Sequence, residues 1–448
     1  MSTRTANGRQ SGTSPAPSAS ASRSRTELVH PRHVRRTLAI ALGVVFLAQW
    51  AGIGVRDLPG DLVLYFDYAN HIKDGHLPYR DFQVEYPPLA LVPILVAFVP
   101  SHLVGGFFAG FKLLFAIESY LLALGAGLIV WSLLPRLLPE ETERQRQLRL
   151  AAYVVSFPLL GQLATTRFDL TPTFLTLAAV ALWLRRTPRS EAAAWLVLAL
   201  AVGVKLVPVI VAPLLLLDLL SRRGLRAAII HGLGFTGALA LLLLPGLAIS
   251  RSGYVAAYTY QMDRGIQMES IYANALLLLS KLGRVEIVTA HAWGSFEYVS
   301  SWTAPLRTVS SLVQLTALTA VYAAFAFVRF RSHDGRRDVQ LVTATTLVLL
   351  AFIATGKVFS PQYLIWLMPF VVLLPGRRGR RTIIWFLATL VVSQLVFPYF
   401  YSSLRHQTAW ATFLLTTRNV LIVVLLGLVA TVLADLRDRS RQVVPGAQ

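Results

Sequence analysis

Side chains that could take part in chemistry are concentrated in two long segments between apolar runs, residues 56–104 and 251–307. Six of the 22 acidic residues lie in the first segment, from Asp57 to Glu85. A positioned carboxylate can accept the proton of an attacking hydroxyl group, which accelerates a reaction by roughly 10²–10⁴-fold. The first segment therefore holds the main candidates for an acid or a base, Asp61 and Glu85 among them.

Lysine is rare in this chain, and its few positions lie on or near the same segments. An ammonium group binds phosphate as a compact point charge, whereas a guanidinium group binds it as a two-pronged fork. The placement favours a phosphate site, although five residues could also fall there by chance. The five lysines are Lys73, Lys112, Lys205, Lys281 and Lys357.

The composition indicates which kind of protein positions these residues. Hydrophobic residues make up 55% of the 448, charged residues only 14%, and the mean hydropathy is +0.58. Soluble domains carry about 25% charged residues, so a water-soluble enzyme is excluded, and so is a nucleic-acid binder despite the formal charge of +20. Because the chain has no cysteine, disulfides, thiolate metal sites and cysteine nucleophiles are excluded as well. The fold class is an all-α polytopic membrane protein.

Twelve apolar runs approach the length of about 20 residues that crosses a bilayer. Runs 192–204 and 206–220 are either one tilted helix or two short helices that meet near Lys205. The run Leu89–Val99 is too short to cross and predicts an interfacial or re-entrant helix. The predicted spans are 37–55, 105–134, 150–166, 170–184, 192–204, 206–220, 227–250, 308–328, 339–355, 361–375, 382–398 and 411–434.

Arginine clusters define the orientation of these spans. They occupy every second connection, and basic residues favour the cytoplasmic side. Basic and non-basic connections alternate consistently along the chain when 192–220 crosses twice. The orientation then places a disordered tail at 1–36 and a second tail at 435–448 in the cytoplasm. The membrane domain is then 37–434, with a long first extracytoplasmic loop. The topology, drawn without the polar candidates, brings them to one face: Asp61, Glu85, Arg167, Asp169, Lys205, Arg264, Glu269, Lys357 and Gln362.

Short motifs on that face resemble those of a known family. The sequence is similar to the GT-C superfamily of lipid-phosphate-sugar-dependent membrane glycosyltransferases, and specifically to its bacterial mannosyltransferase-like branch, glycosyltransferase family 87. The resemblance covers roughly residues 37–434. The motifs are Asp61-Leu-Val-Leu-Tyr65, Gly75-His-Leu-Pro-Tyr79, Glu85-Tyr-Pro-Pro-Leu89, Arg167-Phe-Asp169, Gly203-Val-Lys205, Arg264-Gly265, Glu269-Ser270 with Tyr272, and Ser360-Pro361 with Trp366.

This resemblance implies a bundle of about 10–13 transmembrane helices in the cell membrane and an inverting transfer of a sugar. The implied donor is a polyprenyl-phosphate sugar, with mannose as the family expectation, and the acceptor is a hydroxyl of a cell-envelope glycan or glycolipid. By position Asp61 corresponds to the family's candidate base. Asp67 is its rival on a different helix face, and an N-capping role is the structural alternative for Asp61. Glu85 is the second catalytic candidate, or else part of a rigid corner made by two prolines.

The remaining candidates follow from the leaving group, a lipid phosphate whose charge must be held. Lys205, Arg264, Lys357 and Gln362 are the candidates for donor phosphate binding, although a single cation could equally extend to lipid headgroups. Some relatives carry a histidine near Gln362, which this chain lacks. Neither a metal nor another cofactor is expected. The candidates for substrate positioning are Tyr65, Tyr86, Arg167, Asp169, Glu269 and Tyr272.

Two other functions compete with this interpretation. A flippase or other transporter of lipid-linked sugars predicts ionisable residues at the membrane midplane, where only Glu118 is expected. A ligase or polymerase of cell-surface glycans predicts essential arginines and no essential aspartate.

Overall fold

The computed structural model describes residues 31–52, 60–104, 107–292, 294–331 and 336–438. Its helices are α1 (Pro31–Trp50), α2 (Gly60–Lys73), α3 (Leu91–Phe98), α4 (Phe107–Leu137), α5 (Glu143–Leu160), α6 (Leu163–Thr166), α7 (Leu170–Leu184), α8 (Pro188–Val204), α9 (Ala212–Ile249), α10 (Arg251–Asp263), α11 (Ile271–Lys281), α12 (Thr303–Arg331), α13 (Arg337–Thr355), α14 (Met368–Val371), α15 (Gly376–Gln394), α16 (Tyr401–Arg405) and α17 (Ala409–Asp438). Two antiparallel strands, β1 (Val288–Ala292) and β2 (Ser295–Val299), follow α11.

Within these ranges, six helices are both long and apolar enough to cross a membrane. They are α4, α9 with the 3₁₀ turn before it, α12, α13, α15 with the π-turn after it, and α17. Helices α1, α5, α7 and α8 coincide with further predicted spans, but they are shorter or carry charged residues at one end. The prediction of an all-α polytopic membrane protein is confirmed.

The doubtful region 192–220 forms two separate helical segments rather than one. Helix α8 ends at Val204, the chain turns at Lys205, and the first part of α9 returns antiparallel to α8. Arg222 on that returning part is 2.9 Å from Glu191 at the start of α8. Gly224, with φ of 79°, then interrupts α9 and separates the predicted runs 206–220 and 227–250. A left-handed φ suits glycine because a Cβ would be strained there.

Three expectations need correction. Run 361–375 is not one continuous helix but a 3₁₀ helix, Pro361–Leu367, followed by the four-residue α14 and a turn. Helices α1 and α17 extend past the predicted limits 37 and 434, since α1 begins at Pro31 and α17 ends at Asp438. Residues 1–30 and 439–448 lie outside the described part of the chain.

The β-hairpin is the third difference. Its strands contain β-branched and aromatic residues in the stretches Val288–Ala292 and Ser295–Val299, which favour extended backbone. The two strands pair in register. By contrast, the short helix predicted at Leu89–Val99 is confirmed as α3, which follows the turn at Pro87 and Pro88.

The bundle has two polar ends, and the chain passes back and forth between them. Helix α7 begins next to Asp169 and ends next to Trp183, whose indole donates to Asp218 over 2.6 Å. Helix α13 begins at the opposite end from the loop that carries Lys357, since Asp338 in its first turn pairs with Arg136 at the end of α4. We call these ends the Asp61 end and the arginine end. A large apolar core lies between them, and two smaller apolar clusters are separate from it.

Candidate functional site

The site at the Asp61 end begins with α2, which presents Asp61 in its first turn. Arg167, at the turn between α6 and α7, lies with Nη1 2.9 Å from Asp61 Oδ2. The same guanidinium group donates through Nε to Gln362 Oε1 over 2.8 Å. The side chain of Asp61 is 28% exposed and that of Arg167 is 10% exposed. The Asp61 carboxylate therefore remains accessible, while Gln362 holds the Arg167 guanidinium group.

A second ion pair lies beside the first. Lys205, at the end of α8, is 2.7 Å from Asp169 Oδ1, and the indole of Trp366 donates to the same oxygen over 2.7 Å. The ammonium group also lies within 5.5 Å of the ring centroids of Phe168, Tyr363 and Trp366. Such cation–π contacts stabilise a desolvated cation. Lys205 is therefore fixed in place by one carboxylate and three rings.

Aromatic side chains form the wall between α2 and this ion pair. Tyr65 and Tyr86 both pack against Phe168, at centroid distances of 5.3 and 4.8 Å. Tyr79 positions Tyr86, because its hydroxyl donates to the Tyr86 carbonyl over 2.7 Å. Tyr79 itself has a φ of 67°, which is uncommon for a residue with a side chain. The Pro-Tyr and Tyr-Pro-Pro motifs thus build one rigid wall of the site.

The β-hairpin positions the other half of the site. Met268 pairs with Phe296 of β2 over 2.9 Å, and the Gln267 amide donates to the Lys357 carbonyl over 3.1 Å. The Gln267 side chain also accepts from the Phe359 amide over 2.6 Å. The segment after α10 is therefore held between β2 and the loop that leads to Gln362. The sequence did not predict this hairpin, which joins the segment after α10 to the loop that leads to Gln362.

Gly265 is required by a close approach within this segment. Its amide donates to Glu297 Oε1 over 3.0 Å, and a Cβ at this position would lie 2.0 Å from the other carboxylate oxygen. Burial raises the pKa of Glu297, and the Gly265 amide and the Arg264 guanidinium oppose that effect. The Arg264-Gly265 motif therefore has a steric basis.

Cations gather around Glu297. Arg264 donates to Ser295 over 3.1 Å, and Lys357 donates to the Met262 carbonyl. Burial lowers the pKa of Lys357, and the neighbouring Arg307 and Arg264 lower it further. Arg307 in the first turn of α12 was not predicted; its signal was a lone basic residue at an otherwise apolar helix start. The carboxylates of Asp263, 3.7 Å from Arg307, and Glu297 accompany these three cations. A cluster of three cations is a candidate binding site for an anionic ligand.

Glu85 connects the two halves. Its carboxylate accepts a hydrogen bond from Tyr260, and its pKa is raised by burial, lowered by Tyr260 and Arg264, and raised by Asp61. Glu85 is thus within electrostatic range of both Asp61 and Arg264. Tyr260 is a second site residue that sequence reasoning did not single out.

Glu269 and Tyr272 lie behind these groups. Burial raises the pKa of Glu269 to about 7, and Arg418 of α17 opposes this rise. Arg418 donates to the Glu269 carbonyl and lies over the Phe359 ring at 3.9 Å. Tyr272 donates to the Thr355 carbonyl over 2.9 Å. Both residues support the loops of the site.

Burial also raises the pKa of Asp61; Arg167 and Lys205 lower it, whereas Asp169 raises it. A carboxylate with an elevated pKa is a stronger base than an exposed carboxylate with the ordinary pKa. Asp67 is exposed and points away from this cluster, so the prediction that it lies on a different face from Asp61 is confirmed. Asp57, the first acidic residue of this segment, lies outside the described residues.

The predicted candidates therefore fall into two adjoining groups. One contains Asp61, Arg167, Asp169, Lys205 and Gln362, and the other contains Arg264 and Lys357, which lie near Glu297, a residue that was not predicted. Glu85 lies between them. Asp61 does not contact Arg264 or Lys357 directly, and Lys205 contacts Asp169, so the predicted phosphate-binding residues are divided between the two groups. Tyr65 and Tyr86 belong to the aromatic wall.

These features define a polytopic membrane protein with a polar site at one end of its bundle. The profile of Glycosyltransferase family 87 matches residues 84–361, which is more than half of the chain. The chain belongs to glycosyltransferase family 87, and it is a membrane glycosyltransferase. The match confirms the resemblance to glycosyltransferase family 87 that the motifs indicated. Asp61 and Gln362 lie outside the matched residues.

Two solved structures align with most of this chain. ArnT from Cupriavidus metallidurans in the apo state aligns with 91% of this chain and 78% of its own, at 12% identity and a TM-score of 0.44. Arabinosyltransferase EmbB from Mycobacterium smegmatis aligns with 95% of this chain and 42% of its own, at 14% identity and a TM-score of 0.41. No curated protein shows significant sequence similarity. The assignment rests on the family profile.

Proposed function

We propose that this glycosyltransferase transfers a sugar from a polyprenyl phosphate to a hydroxyl group of a cell-envelope glycan or glycolipid, with inversion, on the extracytoplasmic face. Mannose is the sugar we favour, on the family resemblance. The single observation that carries the proposal is the accessible Asp61 carboxylate in a rigid polar cluster, beside cations that suit a phosphate.

In this reaction Asp61 accepts the acceptor hydroxyl proton as the oxygen attacks the anomeric carbon. The bond from that carbon to the phosphate oxygen breaks, and polyprenyl phosphate leaves with the bonding electrons. Arg167 holds Asp61 in position through its contact with Gln362. No metal is required, because Arg264, Lys357 and Arg307 supply positive charge near the leaving phosphate.

Orientation supports the same conclusion. The arginine clusters lie at the end of the bundle opposite Asp61, and basic connections favour the cytoplasmic side. The Asp61 end is then extracytoplasmic, both termini are cytoplasmic, and the site faces the compartment where envelope glycans are built. Membrane lipids are the surrounding partners.

Replacement of Asp61 tests the proposal. We expect Asp61→Asn to reduce sugar transfer from radiolabelled polyprenyl-phosphate-mannose by about 10²-fold or more, with unchanged protein level in membranes. Asp67→Asn is the matched control on the same helix and should transfer normally. Normal transfer by Asp61→Asn would refute its role as base. Transfer only from a different polyprenyl-phosphate sugar would refute mannose alone.

A further inference from the structure

The arginine end contains two adjoining cavities that the transfer reaction does not use. They have volumes of about 600 and 620 Å³ and share Glu140, Arg336, Pro375 and Leu436 in their linings. Helices α4, α9, α13, α15 and α17 and the turn after α7 contribute to them. A joint cleft of this size is within the range that accommodates a ligand headgroup.

Arginine dominates both cavities. The first is lined by Arg136, Arg186, Arg222, Arg336 and Arg337, against two carboxylates, Glu140 and Asp338. The second is lined by Arg336, Arg377, Arg378, Arg380 and Arg381, against Glu140 and Asp435. Each cavity therefore carries excess positive charge.

Internal ion pairs account for only some of these arginines. Arg136 and Arg186 pair with Asp338, and Arg378 pairs with Asp435. Arg222 pairs with Glu191 and Asp218, and Arg380 pairs with Glu141. Arg377 and Arg381 form no ion pair with any carboxylate in the described ranges, and both are exposed. They are free to bind an external anion.

The linings are apolar as well as basic. Leu137 and Val339 face the first cavity, Val432 faces the second, and Leu436 faces both. The membrane helices α4, α13 and α17 supply these side chains, so the cleft lies at the level where helices leave the bilayer. Basic pockets between transmembrane helices bind anionic lipid headgroups. A soluble phosphate would make no use of the apolar lining.

We propose that this cleft binds the headgroup of an anionic phospholipid. A headgroup with two phosphate groups matches two adjoining basic cavities, with one phosphate in each. The guanidinium groups donate to the phosphate oxygens, and the apolar side chains contact the glycerol and the first acyl carbons. The inference does not depend on the sugar-transfer proposal.

Binding measurements on the purified full-length protein test it. Cardiolipin, phosphatidylglycerol and phosphatidylcholine are titrated in nanodiscs or detergent, with native mass spectrometry as the readout. The test variant is Arg377→Gln with Arg381→Gln. The matched control is Arg144→Gln with Arg226→Gln, which removes two exposed arginines at the same end but outside the cleft. Both variants lose two charges, so diffuse attraction to the membrane changes equally.

We expect cardiolipin to bind more tightly than phosphatidylglycerol, and phosphatidylcholine not to bind specifically. The cleft variant should lose roughly 20- to 30-fold in cardiolipin affinity, and the control less than threefold. Arg336→Gln, at the junction of the cavities, should reproduce part of the loss if the double variant proves unstable. An equal loss in both double variants would overturn the proposal. Displacement of the lipid by millimolar pyrophosphate would assign the cleft to a soluble phosphate instead and would also overturn it.

Discussion

The two ends of the bundle use the same kinds of residue in different ways. At the arginine end Asp218 is completely buried and contacts Arg186, Arg222 and Arg329 as well as Trp183. At the other end Asp61 has one cationic partner and is 28% exposed. A carboxylate surrounded by several cations is fixed as part of the structure, whereas one with a single partner and an open side can accept a proton.

This contrast also separates residues within the site. Asp169 is almost completely buried, and its Oδ1 contacts both Lys205 and Trp366, so it resembles Asp218 more than Asp61. Its role is to hold the turn between α6 and α7 in place. Arg167 on that turn then determines where the Asp61 carboxylate lies.

The largest expected effect is on stability at the arginine end. Asp218→Asn leaves several guanidinium groups without their common counter-charge, and breaking a buried ion pair costs about 3–5 kcal/mol. We expect a large fall in the melting temperature in detergent. The transfer activity per folded molecule should change little, because Asp218 lies at the other end of the bundle. A stable but inactive variant would contradict the comparison.

Donor binding distinguishes the cations at the Asp61 end. Arg264→Gln should raise the KM for the polyprenyl-phosphate donor about tenfold with little change in the melting temperature, since the buried Glu297 keeps the Gly265 amide, Arg307 and Lys357 as favourable neighbours. Lys205→Gln should weaken donor use and also lower the melting temperature, because Asp169 loses its counter-charge. Unchanged donor dependence in both variants would remove these residues from the phosphate site.

The pH dependence of transfer tests the link between Arg167 and Asp61. Arg167 lowers the pKa of Asp61, so its removal raises that pKa further. The base is active when deprotonated, and the acidic limb of the kcat/KM profile should therefore move to higher pH. For Arg167→Gln we expect this acidic limb to lie at higher pH than in the unmodified protein. If the acidic limb does not move, a group other than Asp61 is responsible for it.

The smallest effect is expected at an exposed ion pair of the arginine end. Arg378 and Asp435 are both nearly half exposed, and such surface pairs contribute about 0–1 kcal/mol. Asp435→Asn should therefore change the melting temperature only slightly, which makes it the matched control for Asp218→Asn. A large destabilisation would show that exposure does not distinguish the two pairs.

Much of the fold could be predicted from local patterns. The apolar runs predicted helices at 170–184 and 339–355, where α7 and α13 lie, because burial in a membrane requires long apolar stretches. For the region 361–375 the same reasoning predicted a continuous helix, which the structure does not contain. Its composition is that of a span, but Pro361 and Pro369 and close packing against α7 and α13 produce a broken helix.

The sequence predicted which residues form the candidate site, but not which of these residues contact one another. Glu85, Arg167, Asp169 and Lys205 were all expected on one face. That Lys205 neutralises Asp169, and that Arg167 rather than Lys205 contacts Asp61, depends on residues far apart in the chain. The hairpin and the cations Arg307 and Arg418 were missed for the same reason.

The amino-acid sequence alone determined that this chain crosses a membrane, which connections are basic, and which polar residues gather at the opposite end. Hydropathy and charge distribution act locally, so they can be read residue by residue. Only the tertiary structure decided which carboxylate is surrounded and which stays open. That distinction depends on distances between helices that are remote in sequence, and on how much water each packed side chain excludes.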